Sequence, residues 1–130
     1  MDKPRIPVLV AATDAAAARP APGRLSALML EHGSMQLRWY APRGEDAQVP
    51  HDQDEIYVVA AGTGWFRRGD ERVAFAPGDA LFVRAGEPHR FEDFSPGFAT
   101  WVVFYGPRGG EGLGEHPGEA SRAGSSGRGE

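Results

Sequence analysis

Imidazole is the side chain best suited to bind a metal ion or move a proton near neutral pH. This chain of 130 residues has four: His32, His51, His89 and His116. His116 lies in a Gly- and Ser-rich stretch and reads as a solvated side chain. His32 ends a strand-like run beside Gly33 and reads as a turn or core histidine. The other two have richer surroundings. His51 lies in Gln48-Val49-Pro50-His51-Asp52-Gln53-Asp54-Glu55-Ile56-Tyr57, and His89 in Gly78-Asp79-Ala80-Leu81-Phe82-Val83-Arg84-Ala85-Gly86-Glu87-Pro88-His89-Arg90-Phe91-Glu92-Asp93. His51 with Glu55 has the makings of an acid–base couple, since a nearby carboxylate raises an imidazole pKa. With no cysteine in the chain, a thiolate metal site, a cysteine nucleophile and a disulfide scaffold are all excluded.

The two segments resemble the paired motifs of the cupin superfamily. The first motif reads His-x-His, three or four residues, Glu, six residues, Gly. The second reads Gly, five residues, Pro-x-Gly, two residues, His, three residues, Asn. Here Glu55 follows His51 after three residues and Gly62 follows Glu55 after six, while Gly78, Gly86 and His89 keep the second spacing. Three positions depart: Val49 stands for the first histidine, Arg84 for the proline and Asp93 for the asparagine. The resemblance covers residues 44 to about 105 and is nearest to small bacterial cupins with a Gln-x-Pro-His-x-x-Asp-Glu pattern.

The resemblance implies a metal site of His51, Glu55 and His89, holding one divalent transition ion such as Fe, Zn, Mn or Ni. Two imidazoles and one carboxylate make a facial set with other positions open, suited to a substrate oxygen or a water. Val49 removes the usual fourth ligand. Gln48 or Gln53 offers an amide oxygen in its place, Gln48 being the nearer choice if a bulge turns it inward; the alternative is a position left to water or substrate. Gln36, Arg38 and Tyr40 alternate with Met35, Leu37 and Trp39, so they share one face. If that face points inward, Arg38 and Tyr40 bind and orient an acidic substrate. The function implied is a metal-dependent enzyme acting on a small oxygenated molecule by oxygenase, isomerase or lyase chemistry. The alternative is a non-catalytic small-molecule or sugar-binding module, or a metal-free barrel in which the histidines bond to Glu55.

The elements that must position these residues are short. Gly 18 and Pro 11 are high for this length and mark many turns. Strand signals cover Ala27–Glu31, Met35–Tyr40, Ile56–Ala60, Gly64–Arg67, Arg72–Phe75, Ala80–Val83, His89–Phe91 and Ala99–Tyr105. Arg68-Gly69-Asp70 reads as a hairpin tip and Pro77-Gly78-Asp79 as a tight turn. No stretch keeps an amphipathic helical period over three turns. The fold expected is all-β, an antiparallel double-stranded β-helix or jelly-roll barrel over 25–106. Residues 1–24 read as an arm and linker, their alanine run able to form a helical turn that Pro20 and Pro22 would end. Residues 107–130, rich in Gly, Ser, Glu and Arg, read as a disordered tail.

A formal net charge of −4 argues against a nucleic-acid partner. No apolar run is long enough to span a membrane, and the run Ile6–Ala12, short and broken by Pro7, is not expected to act as a cleaved signal. The expectation is a cytoplasmic protein, with a small-molecule substrate and a homodimer as its assembly.

Overall fold

The computed structural model describes residues 6–112. Eight strands form where the turn chemistry separates them: β1 (Ala27–His32), β2 (Met35–Tyr40), β3 (Asp54–Ala61), β4 (Gly64–Arg68), β5 (Glu71–Phe75), β6 (Ala80–Val83), β7 (His89–Glu92) and β8 (Ala99–Tyr105). A five-stranded sheet runs β1-β2-β8-β3-β6 and a three-stranded sheet β5-β4-β7, and every pairing is antiparallel. The all-β double-stranded β-helix is therefore the fold of this chain.

Alternation along the strands decides what enters the space between the sheets. On β3, Glu55, Tyr57 and Val59 are buried while Val58 is exposed; on β7, His89 and Phe91 are buried while Arg90 is exposed. Their inward side chains meet Phe66, Phe75, Val102 and Phe104 in the main core. The aromatic density is high: Phe91 has Tyr57, Phe66 and Phe98 each at 4.8 Å between ring centroids. Such packing fixes rings in place, and with them any polar atom at a ring's end.

The arm and the tail need correction. The alanine run expected as linker forms α1 (Ala12–Ala17). Its Ala15 is fully buried and joins Trp39 and Ala99 in a second cluster on the other face of the larger sheet. There Trp39 on β2 faces Trp101 on β8 across the ladder, edge to face at 4.8 Å. Small alanine side chains let the helix approach this tryptophan pair closely, and the burial offsets the cost of nucleating a helix of only six residues. The first residues of the expected tail are also placed: Gly109 N donates to the Asp52 carbonyl at 2.7 Å and Glu111 N to Asp54 Oδ2 at 2.9 Å. Residues 113–130, with His116, lie outside the described residues.

Two motif positions gain a physical reason. Asp93, where the family has Asn, sits at φ +47°; Asn and Asp are the side chains that tolerate this left-handed region. Gly62 turns at φ +88° with Phe98 Cα only 2.6 Å from where a Cβ would stand.

Candidate metal centre

β3 brings Glu55 from the larger sheet, β7 brings His89 from the smaller, and the loop before β3 brings His51. One ligand atom from each lies within 4.8 Å of the others. His89 Nε2 is 3.3 Å from Glu55 Oε2, and both side chains are essentially removed from solvent. His51 stacks edge-on against Phe104 at 4.6 Å.

The orientation of His89 is set from behind. Its Nδ1 lies 2.8 Å from the Glu87 carbonyl. A carbonyl only accepts, so Nδ1 carries the proton and, in the neutral ring, Nε2 is a bare acceptor turned toward Glu55. The Tyr57 hydroxyl reaches that nitrogen at 3.0 Å and also lies 3.1 Å from Gln48 Oε1. One phenolic proton thus serves two acceptors.

Glu55 is the anomaly. Both its carboxylate oxygens are buried without a hydrogen-bond partner among the described residues. Burial chiefly, with the charge of Asp46 adding to it, pushes its carboxyl up to about 7, while the nearby Tyr57 hydroxyl pulls the other way. Tyr57 itself is pushed up by burial and by Glu55. Burial, and then the proximity of His89, lowers the pKa of His51 and favours its neutral form. The imidazole of His51, the Nε2 of His89, a carboxylate without a hydrogen-bond donor and a single shared phenolic proton make a cluster rich in acceptors and poor in donors. A cation fits that chemistry.

Sequence reasoning singled out Gln48 as a fourth ligand that would need a bulge. The structure turns Gln48 inward from a loop, with no strand to bulge, and buries it. Its Nε2 donates to Asp46 Oδ2 at 2.8 Å and its Oε1 faces Tyr57, so its amide is already engaged at both ends. Gln53 is elsewhere: its Nε2 ties the Ser34 and Gly106 carbonyls together at 3.0 and 2.9 Å. Val49 is 68% exposed.

Asp46 was missed entirely. It is buried, and accepts from the Tyr40 hydroxyl, the Gln48 amides and Phe91 N. No periodicity marks a loop residue whose partners are scattered along the chain. Tyr57 had a readable signal, standing two residues after Glu55 on one strand and so on the same face.

A cleft of about 550 Å³ opens beside the cluster, lined among others by Gln36, Arg38, Tyr40, Gln48 and His51. The shared face of β2 therefore does point inward. Tyr40, expected to bind substrate, lines this cleft and gives its hydroxyl proton to Asp46.

Comparison with known proteins agrees with this fold. Residues 37–105, more than half of the chain, match the family described as Cupin domain. The chain belongs to the cupin family. An uncharacterized protein of Streptomyces coelicolor is 39% identical to this cupin over 62 residues, 48% of this chain and 59% of the relative. The match thus spans under two thirds of that relative's length. Among solved structures, a conserved double-stranded β-helix protein from Klebsiella pneumoniae superimposes with a TM-score of 0.62 at 20% identity, covering 79% of this chain and 94% of its own. A cupin-2 domain protein from Shewanella frigidimarina gives 0.58 at 16% identity, covering 77% and 95%. These likenesses speak to the fold alone.

Proposed function

We propose that this cupin holds one divalent transition ion, Fe, Zn, Mn or Ni, through His51, Glu55 and His89, and acts on a small oxygenated molecule that enters by the cleft. The bare Glu55 carboxylate carries this reading. An ionised carboxylate stripped of water and of donors costs several kcal/mol, and a cation against it offsets that cost. Bound there, the ion supplies Lewis-acid polarisation of a substrate oxygen, as oxygenase, isomerase or lyase chemistry requires.

The chain's own residues prepare the place. The Glu87 carbonyl fixes the tautomer of His89. Burial keeps the His51 ring in the neutral form that ligates. Asp46 holds Gln48, and Gln48 helps hold the Tyr57 hydroxyl at the rim of the cluster. Exposed Val58 and Phe82, on the outer face of the larger sheet, support its association as a homodimer, which sedimentation velocity would test.

Elemental analysis of protein purified without an affinity tag is the direct test. One ion per chain, lost in His89→Ala and Glu55→Gln, is expected. No ion bound, and none taken up on reconstitution, would sink the reading. A second reading, a non-catalytic small-molecule or sugar-binding module, is favoured by Val49, which leaves the family's fourth ligand position without a donor. Under it, His89→Ala would bind the same small molecules as the wild type.

A further inference from the structure

We infer that Arg38, with Arg24 beside it, forms an oxyanion subsite in the cleft, built for the carboxylate or phosphate group of a small acid. The inference deepens the proposed function, and rests on it only for what happens at the acid's other end.

Arg38 is 5% exposed, yet among the described residues no carboxylate comes within ion-pair distance of it. Stripping water from a charge is costly, so buried arginines are ordinarily paired. The contrast within the molecule is plain: Arg67, Arg68, Arg72 and Arg108, all more exposed, each meet an Asp or Glu. Glu31 is close enough for its charge to reach Arg38. Its carboxylate instead takes the Gln36 Nε2 at 2.8 Å, which leaves an amide between the two charges.

Neutral acceptors hold the guanidinium in place. Nε donates to Gln36 Oε1 at 2.9 Å, and Nη1 lies 3.1 Å from the Ser26 carbonyl and 3.4 Å from Ser26 Oγ. A guanidinium has five N–H donors in a planar fork, and Nη2 has no partner among the described residues. Arg24, Ser26, Gln36 and Arg38 all line the cleft that His51 and Gln48 also line. The positive charge of Arg24 bears on Arg38 and works against it. Two arginines lining one cleft, neither with a carboxylate at ion-pair distance among the described residues, describe a receptor for an anion. A fixed guanidinium fork matches two oxygens of a carboxylate or a phosphate side by side.

The test is isothermal titration calorimetry on the full chain at low ionic strength, after metal is chelated and the chelator dialysed away. Acetate and inorganic phosphate are the probes. At least one should bind, and Arg38→Gln should weaken it by about tenfold or more, the effect of losing hydrogen bonds to a charged group. Arg38→Lys, which keeps the charge without the fork, should lose part of that affinity, and exposed Arg24→Gln a smaller part. Binding of acetate alone would assign a carboxylate, and of phosphate alone a phosphate ester. Binding of neither, or binding that ignores Arg38→Gln, would overturn the subsite. Should Arg38→Gln not fold, the lysine and Arg24 variants decide by the same criterion. The titrations are repeated on reconstituted protein. Anion binding that appears only with metal and is indifferent to Arg38 would overturn the subsite while supporting the metal reading. Failure to take up metal would sink that reading alone, because the metal-free titrations judge the subsite by themselves.

Discussion

Buried as it is, the Glu55 carboxyl is pushed up from 4.5 to about 7, so the metal-free fold prefers it protonated. Ionising it then costs nothing below pH 4.5, and the full amount is reached above about pH 7. Metal-stripped wild type should lose up to about 3 kcal/mol of stability relative to Glu55→Gln as pH rises across that interval. Urea denaturation of both proteins at each end measures this. The comparison cancels His51, whose lowered pKa acts in the opposite direction as its imidazole ionises at low pH. Metal affinity should rise over the same interval, because the carboxylate must be free of its proton to ligate. Tyr57 makes a separate prediction. Tyr57→Phe leaves Gln48 Oε1 and His89 Nε2 without their shared donor. The metal-free protein should lose about 1–3 kcal/mol for a buried acceptor left bare, while metal affinity should not fall, since Nε2 is released. His51, Glu55 and His89 were legible from spacing and residue type. Asp46 was not, because its four donors come from β2, its own loop and β7, and only the folded chain gathers them.

The strands that carry these residues depend on where the chain can turn. All eight were readable to within a residue or two, since turn chemistry brackets each run and alternation gives each its face. The glycines that look equivalent in the motifs are not equivalent in the fold. A Cβ at Gly62 would stand 2.6 Å from Phe98 Cα, whereas nothing lies within 4 Å of one at Gly78. Both residues have positive φ. Gly78→Ala should cost only the left-handed backbone strain, about 1–2 kcal/mol. Gly62→Ala adds a backbone collision that must move β8's approach, for a total of about 2–5 kcal/mol. Thermal melts of the two variants should rank them in that order. Spacing alone cannot separate these glycines, because the neighbour that matters is thirty-odd residues away in sequence and is placed by the sheet.

At the scale of the whole molecule, the sandwich was legible and its covering was not. Alanine and proline at residues 15–22 read as a linker because local propensity is all that a sequence window offers; the Trp39–Trp101 pair that α1 covers lies on strands far along the chain. Ala15→Glu should therefore lower stability by about 1–3 kcal/mol and shift tryptophan emission to the red as Trp39 becomes wetted. No helix among the described residues is long and apolar enough to cross a membrane. The orphaned Glu55 carboxylate has a reach beyond its own site. Under the proposed ligation, an ion at a hundred times its dissociation constant adds about 2.7 kcal/mol to the folded state. Opening, and with it cleavage by proteases, falls by the same factor of about a hundred. The lifetime of the protein then becomes a readout of metal supply: chains made when the ion is scarce are degraded first, and those that persist are the loaded ones.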